Sequence, residues 1–445
     1  MKYRLCGVLL LLPALVRAEA LSLPQLIDNA LHHDPRISEQ EKLVGAARAL
    51  LQEAQGSDNL IYDVNAFIGL TTQVKDGFFE QGAPSTPRSD RYAFDGLSTW
   101  SGLQFSLIKP LYTFGKIENY EKAAESNIEI KREDVTKQRA STVVDVSRAY
   151  YGYLTARDTR YLLEDVARRL DNVVKLARQW LDSGTNEIRQ SDLYALQAAQ
   201  ALVGNYLAKA QAIEQVALDG LKVLTGIGLD GELEISDKHV TPVSLPEQSL
   251  DDLKKNALEQ RPEMLQLQAG LAARRSLVAA KQAEKRPNVY AGIVGAAAYS
   301  PNRASLDSPF IYDPFNDYGA TPLLGIQWQW QSGVQPAHVA QAQAELDALV
   351  EKSSFARQGI PFEVAEQYHQ VMGHYESVQK LSQGSRAARR WMISTYADFE
   401  AGVQKAEKVL TAFQGYVMTH SDYLSAVNDY NMHVVQLRYV TGDIP

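Results

Sequence analysis

Residues 22–31 (SLPQLIDNAL) are repeated as residues 249–258 (SLDDLKKNAL), at an offset of 227 positions. Three residues beyond each copy, Asp34-Pro35 is matched by Arg261-Pro262, and proline is favoured in the first turn of a helix. Each copy therefore predicts two consecutive short helices. A duplication of this kind determines the fold, because the second half builds the same unit as the first.

Four glycines delimit a second pair of matching segments. Gly115 and Gly184 correspond to Gly333 and Gly402 at an offset of 218, so the two glycines of each pair stand 69 positions apart and delimit segments of equal length. Each segment lacks internal turn clusters and carries apolar side chains at three- and four-residue spacing. This pattern predicts one continuous helix of about 100 Å in each half, longer than a compact domain is wide.

A turn and a returning helix follow each long segment. The returning helices are predicted at 190–224 and 406–440, and they end at Thr225-Gly226 and Thr441-Gly442. Each half therefore contains a long antiparallel helical hairpin. Pro361 predicts a kink midway along the second long helix, because proline removes one hydrogen bond of the helix and clashes with the preceding turn.

Four segments between the short and long helices alternate apolar and polar residues, as a strand with one apolar face does. They lie at 62–68, 103–107, 289–299 and 324–330, of which the last alternates most regularly and 289–299 least. Linkers rich in glycine, proline, serine and aspartate, at about 70–100 and 300–322, join them into two hairpins. Strands between lipid and a wet lumen show this alternation.

The N-terminus predicts a secretory signal over residues 1–18. Lys2 and Arg4 precede an apolar stretch, and Ala18 is a small residue at which signal peptidase would cut. Cys6, the only cysteine, would leave with the signal, so burial and hydrogen bonding alone would stabilise the exported chain. No later segment has the roughly 20 apolar residues of a transmembrane helix, so any membrane crossing would be made by strands.

Composition and strand number limit the assembly. The 445 residues are 22% charged and 45% apolar with a net charge of −8, which excludes a disordered chain and argues against a nucleic-acid partner.

Four strands cannot close a membrane barrel, whose smallest form has about eight, and open strand edges are not tolerated in lipid. Several copies must therefore share one barrel, and three copies would supply 12 strands.

Short motifs lie where these elements meet. Residues 106–115 (SLIKPLYTFG) stand between a strand and a long helix, Ser183-Gly184 at a hairpin tip, and residues 191–198 (SDLYALQA) and 224–226 (LTG) in a returning helix. In this order and spacing, and together with the duplication, they resemble the TolC family of outer-membrane efflux proteins. The resemblance covers essentially the whole mature chain.

The resemblance implies a mainly α-helical homotrimer in the outer membrane of a Gram-negative bacterium. A 12-stranded β-barrel, four strands from each chain, would continue as a long α-helical barrel through the periplasm. The trimer would be the passive exit duct of a tripartite efflux or type I secretion system, with a periplasmic adaptor protein, an inner-membrane transporter and outer-membrane lipid as partners. No enzymatic activity, cofactor or metal is implied. The adaptor would dock at the hairpin tips, formed by Ser183, Gly184, Thr185, Ala401, Gly402 and Val403.

The predicted organisation follows the duplication. A signal peptide at 1–18 precedes a first structural repeat at 19–225, an inter-repeat linker at 226–248 and a second structural repeat at 249–445. Each repeat contains short helices, a β-hairpin and a long helical hairpin.

The resemblance also implies a periplasmic gate near the tips. Members of the family place a carboxylate shortly after the tip glycine in each half, and Asp192 fits that position in the first half. Lys408 takes its place in the second half, and Phe399 stands where the family often has tyrosine. Lys405 completes the set of gate candidates. The alternative interpretation is that these charges are simply solvated at helix ends.

Several motifs have two interpretations. Gly226, Gly228 and Gly231 match a dinucleotide-binding spacing but follow a predicted helix, so they lack the strand that such a site requires. Glu366 and His369 resemble half of a di-iron motif whose other half is missing, since Arg148 and Tyr151 occupy the matching positions. The pair His32-His33 ends a short helix and is predicted to be solvated.

Aromatic residues near the strands also have alternatives. Trp328 and Trp330 are predicted membrane-interface anchors, and the alternative is that they line a substrate path. Phe78, Phe79, Tyr92 and Phe94 in the first linker are predicted to pack locally, with binding of an extracellular partner as the alternative.

The leading functional hypothesis is a trimeric export duct. A secreted, non-channel coiled-coil protein, structural or adhesive, would explain the helices but not the four alternating segments. An enzyme ranks third, because no nucleophile, base and orienting group converge in any motif.

Overall fold

The computed structural model describes residues 20–74, 79–80, 83–87, 96–184, 188–305, 310 and 312–444. The predicted signal segment lies outside these residues. The chain divides into two compact units, each drawn from both repeats. The first unit is Met1–Lys42, Arg132–Leu265 and Ser354–Pro445, and the second is Leu43–Lys131 and Gln266–Ser353.

The same succession of elements occurs twice. The first repeat contains α1 (Leu23–His33), α2 (Pro35–Gly56), β1 (Ile61–Thr72), a small hairpin of β2 (Phe79–Glu80) and β3 (Ala83–Pro87), β4 (Leu97–Tyr112), α3 (Lys116–Asp182) and α4 (Gln190–Leu224). The second contains α5 (Leu250–Gln260), α6 (Pro262–Ala283), β5 (Asn288–Tyr299), β6 (Asp317–Gln327), α7 (Val334–Glu400) and α8 (Ala406–Thr441).

The long helices confirm the prediction from the glycine spacing. Helices α3 and α7 both contain 67 residues. Gly184 and Gly402, one at each hairpin tip, have φ angles of 71° and 73°. Glycine adopts this left-handed conformation without the steric penalty that a Cβ atom would bring, so it ends a helix efficiently. Helix α7 continues through Pro361, and the kink predicted there stays a prediction.

Two details of the strand prediction are wrong. The linker predicted to reach residue 322 ends earlier, because β6 begins at Asp317 and contains Pro322. Proline is tolerated there because β6 lies at the edge of its sheet. The strand ends at Gln327, where it pairs with the first residue of β5, so Trp328 and Trp330 follow the strand instead of belonging to it.

The second unit contains a four-stranded antiparallel sheet in the order β1-β4-β5-β6. The two repeats meet at its centre, where β4 pairs with β5 from Ser101↔Tyr299 to Tyr112↔Val289. Strands β1 and β6 are the edges, and each pairs with a neighbour on one side only. One edge of each outer strand is therefore left with unpaired backbone groups.

The register separates the side chains of this sheet into two faces. One face is polar in its middle, with Asp63 opposite Ser106 and Asn65 opposite Gln104. The other face is apolar and exposed to solvent in the isolated chain, which a soluble sheet would avoid. Its exposed members are Tyr62, Val64, Ile68, Leu70, Leu103, Ile293, Tyr299, Tyr318, Leu324 and Ile326.

In the first unit, one apolar cluster packs the two helical hairpins against each other. It combines side chains of α3 and α4 with side chains of α7 and α8. Its fully buried members include Val166, Leu170, Leu196, Met392, Phe399, Val409 and Ala412. Among the described residues, no helix is both long and apolar enough to span a membrane.

An arginine joins each short-helix pair to a long helix, and the two repeats use opposite charges at matching positions. In the first repeat, Arg36 lies 2.8 Å from Asp34 and 2.9 Å from Asp145 on α3. In the second, Arg261 contacts Glu263 at 2.9 Å and Glu363 on α7 at 2.5 Å.

These two clamps, Asp34–Arg36–Asp145 and Arg261–Glu263–Glu363, correspond through the repeat. Asp34 matches Arg261 and Arg36 matches Glu263 at the offset of 227, while Asp145 matches Glu363 at the offset of 218. The arginine has therefore exchanged places with one of its carboxylates, and the contact to the long helix is kept. The duplication preserves an interaction where it does not preserve the residues.

The first clamp is sensitive to pH. Burial alone would raise the pKa of Asp34, but hydrogen bonds from Arg36 and Thr142 outweigh it, and the pKa lies below its ordinary value. A lowered carboxylate pKa contributes stability that is complete above the unfolded-state pKa and is lost as the pH falls through the folded-state value.

Reversing the charge at Arg36 tests the clamp. Arg36→Glu places a third carboxylate beside Asp34 and Asp145, and should lower the free energy of unfolding by about 1–3 kcal/mol, because a buried acceptor loses its charged donor. The double variant Asp34→Arg, Arg36→Glu copies the second repeat and should recover most of this loss. Denaturation followed by circular dichroism of the helices measures both. Equal losses in the single and double variants would contradict the equivalence of the clamps.

Candidate functional site

The tip of the first hairpin joins α3 to α4 through a loop of seven residues, 183–189. The backbone N–H of Gly184 donates to the carbonyl of Leu181 at 3.1 Å. The hydroxyl of Ser183 donates to the carbonyl of Trp180 at 3.0 Å. Ser183 and Gly184 are exposed, while Thr185 lies outside the described residues.

The second tip is two residues shorter, with five residues between α7 and α8. Gly402 donates its N–H to Phe399 at 2.9 Å, and Val403 donates to Asp398 at 2.9 Å. This pair of bonds is a Schellman motif, which usually buries the residue after the glycine. Here Val403 remains 78% exposed, and Ala401 beside it is exposed as well. The tip therefore presents apolar groups to the surroundings.

Asp192 and Lys408 occupy the same position, the third residue of α4 and of α8. The carboxylate of Asp192 accepts a hydrogen bond from the N–H of Arg189 at 3.0 Å, so it caps the N-terminus of α4. Lys408 has no carboxylate to offer, and the N–H of Lys405 instead donates to the side-chain oxygen of Gln404 at 3.2 Å. Lys405 and Lys408 are exposed.

Within one chain these gate candidates do not form a pair. Among the described residues, neither Asp192 nor Lys408 takes part in an intrachain ion pair. Asp192 has a structural role as a cap, which the sequence pattern alone did not identify.

Phe399 lies in the core. Its side chain is 1% exposed and its ring centroid lies 5.1 Å from that of Trp180 on α3. A side chain in this position joins the two hairpins behind their tips and faces no opening within the chain. The apolar cluster encloses Phe399 within the single chain, and its role at the gate stays a prediction.

A polar contact between the hairpins near the tips is absent from the sequence predictions. Arg169 on α3 lies over the ring of Tyr396 on α7, 5.6 Å from its centroid, and pairs with Asp165 at 3.1 Å. Burial, followed by a hydrogen bond with Glu400, raises the pKa of the Tyr396 hydroxyl. Only the spacing of Tyr396, one turn before Phe399, signals that it shares the face directed toward α3.

The two tryptophans that follow β6 are exposed but hydrogen-bonded. Trp328 is 65% exposed, and its indole N–H donates to the carbonyl of Lys285 at 3.2 Å. Trp330 is exposed too. A satisfied N–H with an exposed ring suits an interface position, and the role as anchors stays a prediction. In the first linker, Phe79 belongs to β2, while Phe78, Tyr92 and Phe94 lie outside the described residues.

The remaining motifs take up ordinary positions. His32 and His33 are exposed at the end of α1, and Glu366 and His369 are exposed on α7. Gly226 follows α4, so no strand precedes the glycine-rich motif. In the part of the chain that the structure describes, no group of three or more histidine, cysteine, aspartate or glutamate residues is arranged to hold a metal ion.

Comparison with known proteins identifies the family. A family model described as outer membrane efflux protein matches the chain twice, over residues 26–226 and 253–443. The chain belongs to the outer membrane efflux protein family. Its place among transport proteins of the outer membrane follows from this membership, and the double match agrees with the duplication of the sequence.

Solved structures of outer-membrane proteins share this fold. The outer-membrane channel OprN is 18% identical with a TM-score of 0.75, over 94% of this chain and 89% of that chain. VceC from Vibrio cholerae is 16% identical with a TM-score of 0.75, over 94% and 96%. The open state of the MtrE channel from Neisseria gonorrhoeae is 16% identical with a TM-score of 0.72, over 94% and 88%. No curated protein sequence matches significantly.

Substitutions at the third residue of each returning helix, Asp192 and Lys408, distinguish a role in helix capping from a role in the gate. Lys408→Asp should raise single-channel conductance, because a carboxylate replaces an attractive cation at the gate, whereas Asp192→Asn keeps a capping oxygen and removes only charge. If charge attraction holds the gate, Asp192→Asn should also raise conductance with little loss of helix stability. Planar-bilayer recording measures the first effect and circular dichroism the second.

The control is Asp192→Ala, which removes the cap and the charge together and should cost about 1 kcal/mol of stability as well. Conductance equal to that of the unchanged protein in both Lys408→Asp and Asp192→Asn would remove the pair from the mechanism.

Proposed function

We propose that three copies of this chain form one duct through which substrates leave the cell, as the exit component of a tripartite efflux or type I secretion system. The observation that supports this proposal most strongly is the four-stranded sheet, which has one exposed apolar face and two unpaired edges. In lipid each edge must find a partner, and pairing β1 of one copy with β6 of the next satisfies both edges without a further protein. Three copies then form a 12-stranded barrel.

A stripe on α4 supports a self-assembling interface. Residues 202, 206, 209, 213, 216, 220 and 223 follow each other at alternating spacings of four and three, which places them on one face of a helix that packs on another helix. The apolar members of this α4 stripe are exposed in the single chain: Leu202, Tyr206, Ile213, Val216 and Val223. A second copy of the chain is the proposed occupant, because an exposed apolar face on a helix is stabilised when another helix covers it.

The hairpin tips support docking of a periplasmic adaptor, which would connect the duct to an inner-membrane transporter. Ser183, Gly184, Ala401, Gly402 and Val403 are all exposed at the tips. Val403 gives the second tip an apolar contact point, and the loop of the first tip is two residues longer. The two tips are therefore different surfaces, and an adaptor would meet both in alternation around the ring.

Disrupting the α4 stripe should dissociate the trimer. Ile213→Glu with Val216→Glu places two charges in an apolar interface, where desolvation is costly. The wild-type protein should fractionate with the outer membrane and run on unheated gels as a heat-sensitive trimer, and the double variant should run as a monomer. Gln211→Glu, on the opposite side of α4, is the matched control and should stay trimeric.

Finding the wild-type protein in the medium, or as a stable monomer inserted in lipid, would instead favour the secreted coiled-coil alternative or a different architecture.

A further inference from the structure

The end of the sheet far from the long helices carries a cluster that the duct described above does not require. At this distal end, β1 finishes at Thr72, β4 begins at Leu97, β5 finishes at Tyr299 and β6 begins at Asp317. The long and short helices attach at the other end of all four strands. Two connections leave the distal end, one between β1 and β4 and one between β5 and β6.

These two connections are bonded to each other across the end of β4. Val74 accepts a hydrogen bond from the N–H of Ala304 at 2.8 Å and donates its own N–H to Asn302 at 3.2 Å. The guanidinium of Arg303 donates to the carbonyl of Thr72 at 2.9 Å. Since β4 separates β1 from β5, the second connection must pass over the end of β4 to make these contacts.

Two described residues of the second connection, Arg303 and Phe315, lie on the polar face of the sheet. Phe67 and Trp100 belong to the polar face by register, and their ring centroids are 4.6 Å apart. Phe315, from the second connection, lies 5.2 Å from Trp100, and the guanidinium of Arg303 lies 4.0 Å above the Phe315 ring. Phe67, Trp100, Phe315 and Arg303, here termed the distal stack, therefore project on the side of Asn65 and Gln104.

Polar contacts fix this connection in place. The hydroxyl of Ser300 donates to that of Ser98 at 3.0 Å, and both side chains are buried. The side-chain oxygen of Asn316 accepts from the N–H of Ser300 at 2.8 Å, while its amide nitrogen donates to the carbonyl of Arg303 at 2.8 Å. Asn316 therefore ties the start of the connection to Arg303. A segment held by side-chain bonds at several points keeps its aromatic groups over the polar face.

We propose that the distal stack forms a second constriction, at the outer mouth of the duct, which limits the size of molecules that pass. The proposal rests on the proposed function, because the polar face becomes a lumen only when the barrel closes. Three copies would then direct three aromatic and cationic stacks toward the axis at one level. Pore diameter and the side chains that line it determine what a channel passes, so this ring acts independently of closure at the hairpin tips.

The absence of cysteine after Cys6 allows the mouth to be probed with a single thiol. Gln104 is exposed on the polar face, four residues from Trp100 along β4, which is about 13 Å toward the helices. Gln104→Cys is labelled in intact cells with maleimides of increasing size. We expect a small maleimide to react and a polyethylene-glycol maleimide to be excluded. In an intact cell the outer mouth is the only route by which the large reagent could reach the lumen, so a constriction there should block it.

Removing side chains of the distal stack should abolish the difference in reactivity between the small and the large maleimide. Adding Trp100→Ala with Phe315→Ala, or Arg303→Gln alone, should let the large maleimide react as fast as the small one. Tyr299→Ala is the matched control, since Tyr299 is an exposed aromatic residue at the same end of the sheet but on the apolar face. It should leave the exclusion unchanged.

The outcomes separate this proposal from the proposed function. A heat-sensitive trimer whose wild-type mouth admits the large maleimide freely would overturn the constriction and leave the duct intact. Exclusion that persists in both stack variants would overturn it as well, by placing the barrier elsewhere. Failure of every variant and of the parent protein to form a trimer in the outer membrane would instead overturn the duct.

Discussion

The unpaired edges of β1 and β6 are the constraint on which the rest of this structure depends. A backbone N–H or C=O left without a partner in hydrocarbon costs several kcal/mol, so an open sheet with an apolar face cannot stand alone in a membrane. The duplication gives each chain four strands joined at the β4–β5 seam, which is too few to close a barrel. Copies of the chain must therefore associate before the sheet is stable in lipid. The helices connected to the strands follow the same symmetry as the strands.

The two halves share interactions at positions where they do not share the residues that make them. Arg36 and Arg261 each join a short-helix pair to a carboxylate on a long helix, although the arginine occupies different positions in the two repeats. Both long helices retain the same length. The tips have diverged instead, with a capping carboxylate at Asp192 and a lysine at Lys408. The repeats therefore share the contact between short and long helices and differ at the hairpin tips.

Much of the fold could be predicted from the sequence because its signals are local. Glycine spacing sets the helix lengths, and alternation of polar and apolar residues identifies the strands. The alternation through Trp328 and Trp330 overestimates the length of β6, because β5 begins at Asn288 and its pairing with β6 ends there. Two kinds of feature escaped prediction. Capping by Asp192 depends on the conformation of the turn before α4. Burial of Phe399 and the distal stack depend on residues far apart in sequence, such as Trp100 and Phe315, which only the folded chain brings together.

Disulfide trapping between the two edge strands tests the central claim most directly. Cysteines on the polar face of β1 and β6, beginning with Asn65→Cys and Thr321→Cys and moving the second by two residues, cannot join within one chain. Three strand spacings separate β1 from β6, about 14 Å, whereas a disulfide needs Cα atoms within about 7 Å. The account predicts that one pair gives a covalent trimer on non-reducing gels of outer membranes. The account would be contradicted if every cysteine pair gave only monomer on these gels although the protein was inserted in the membrane.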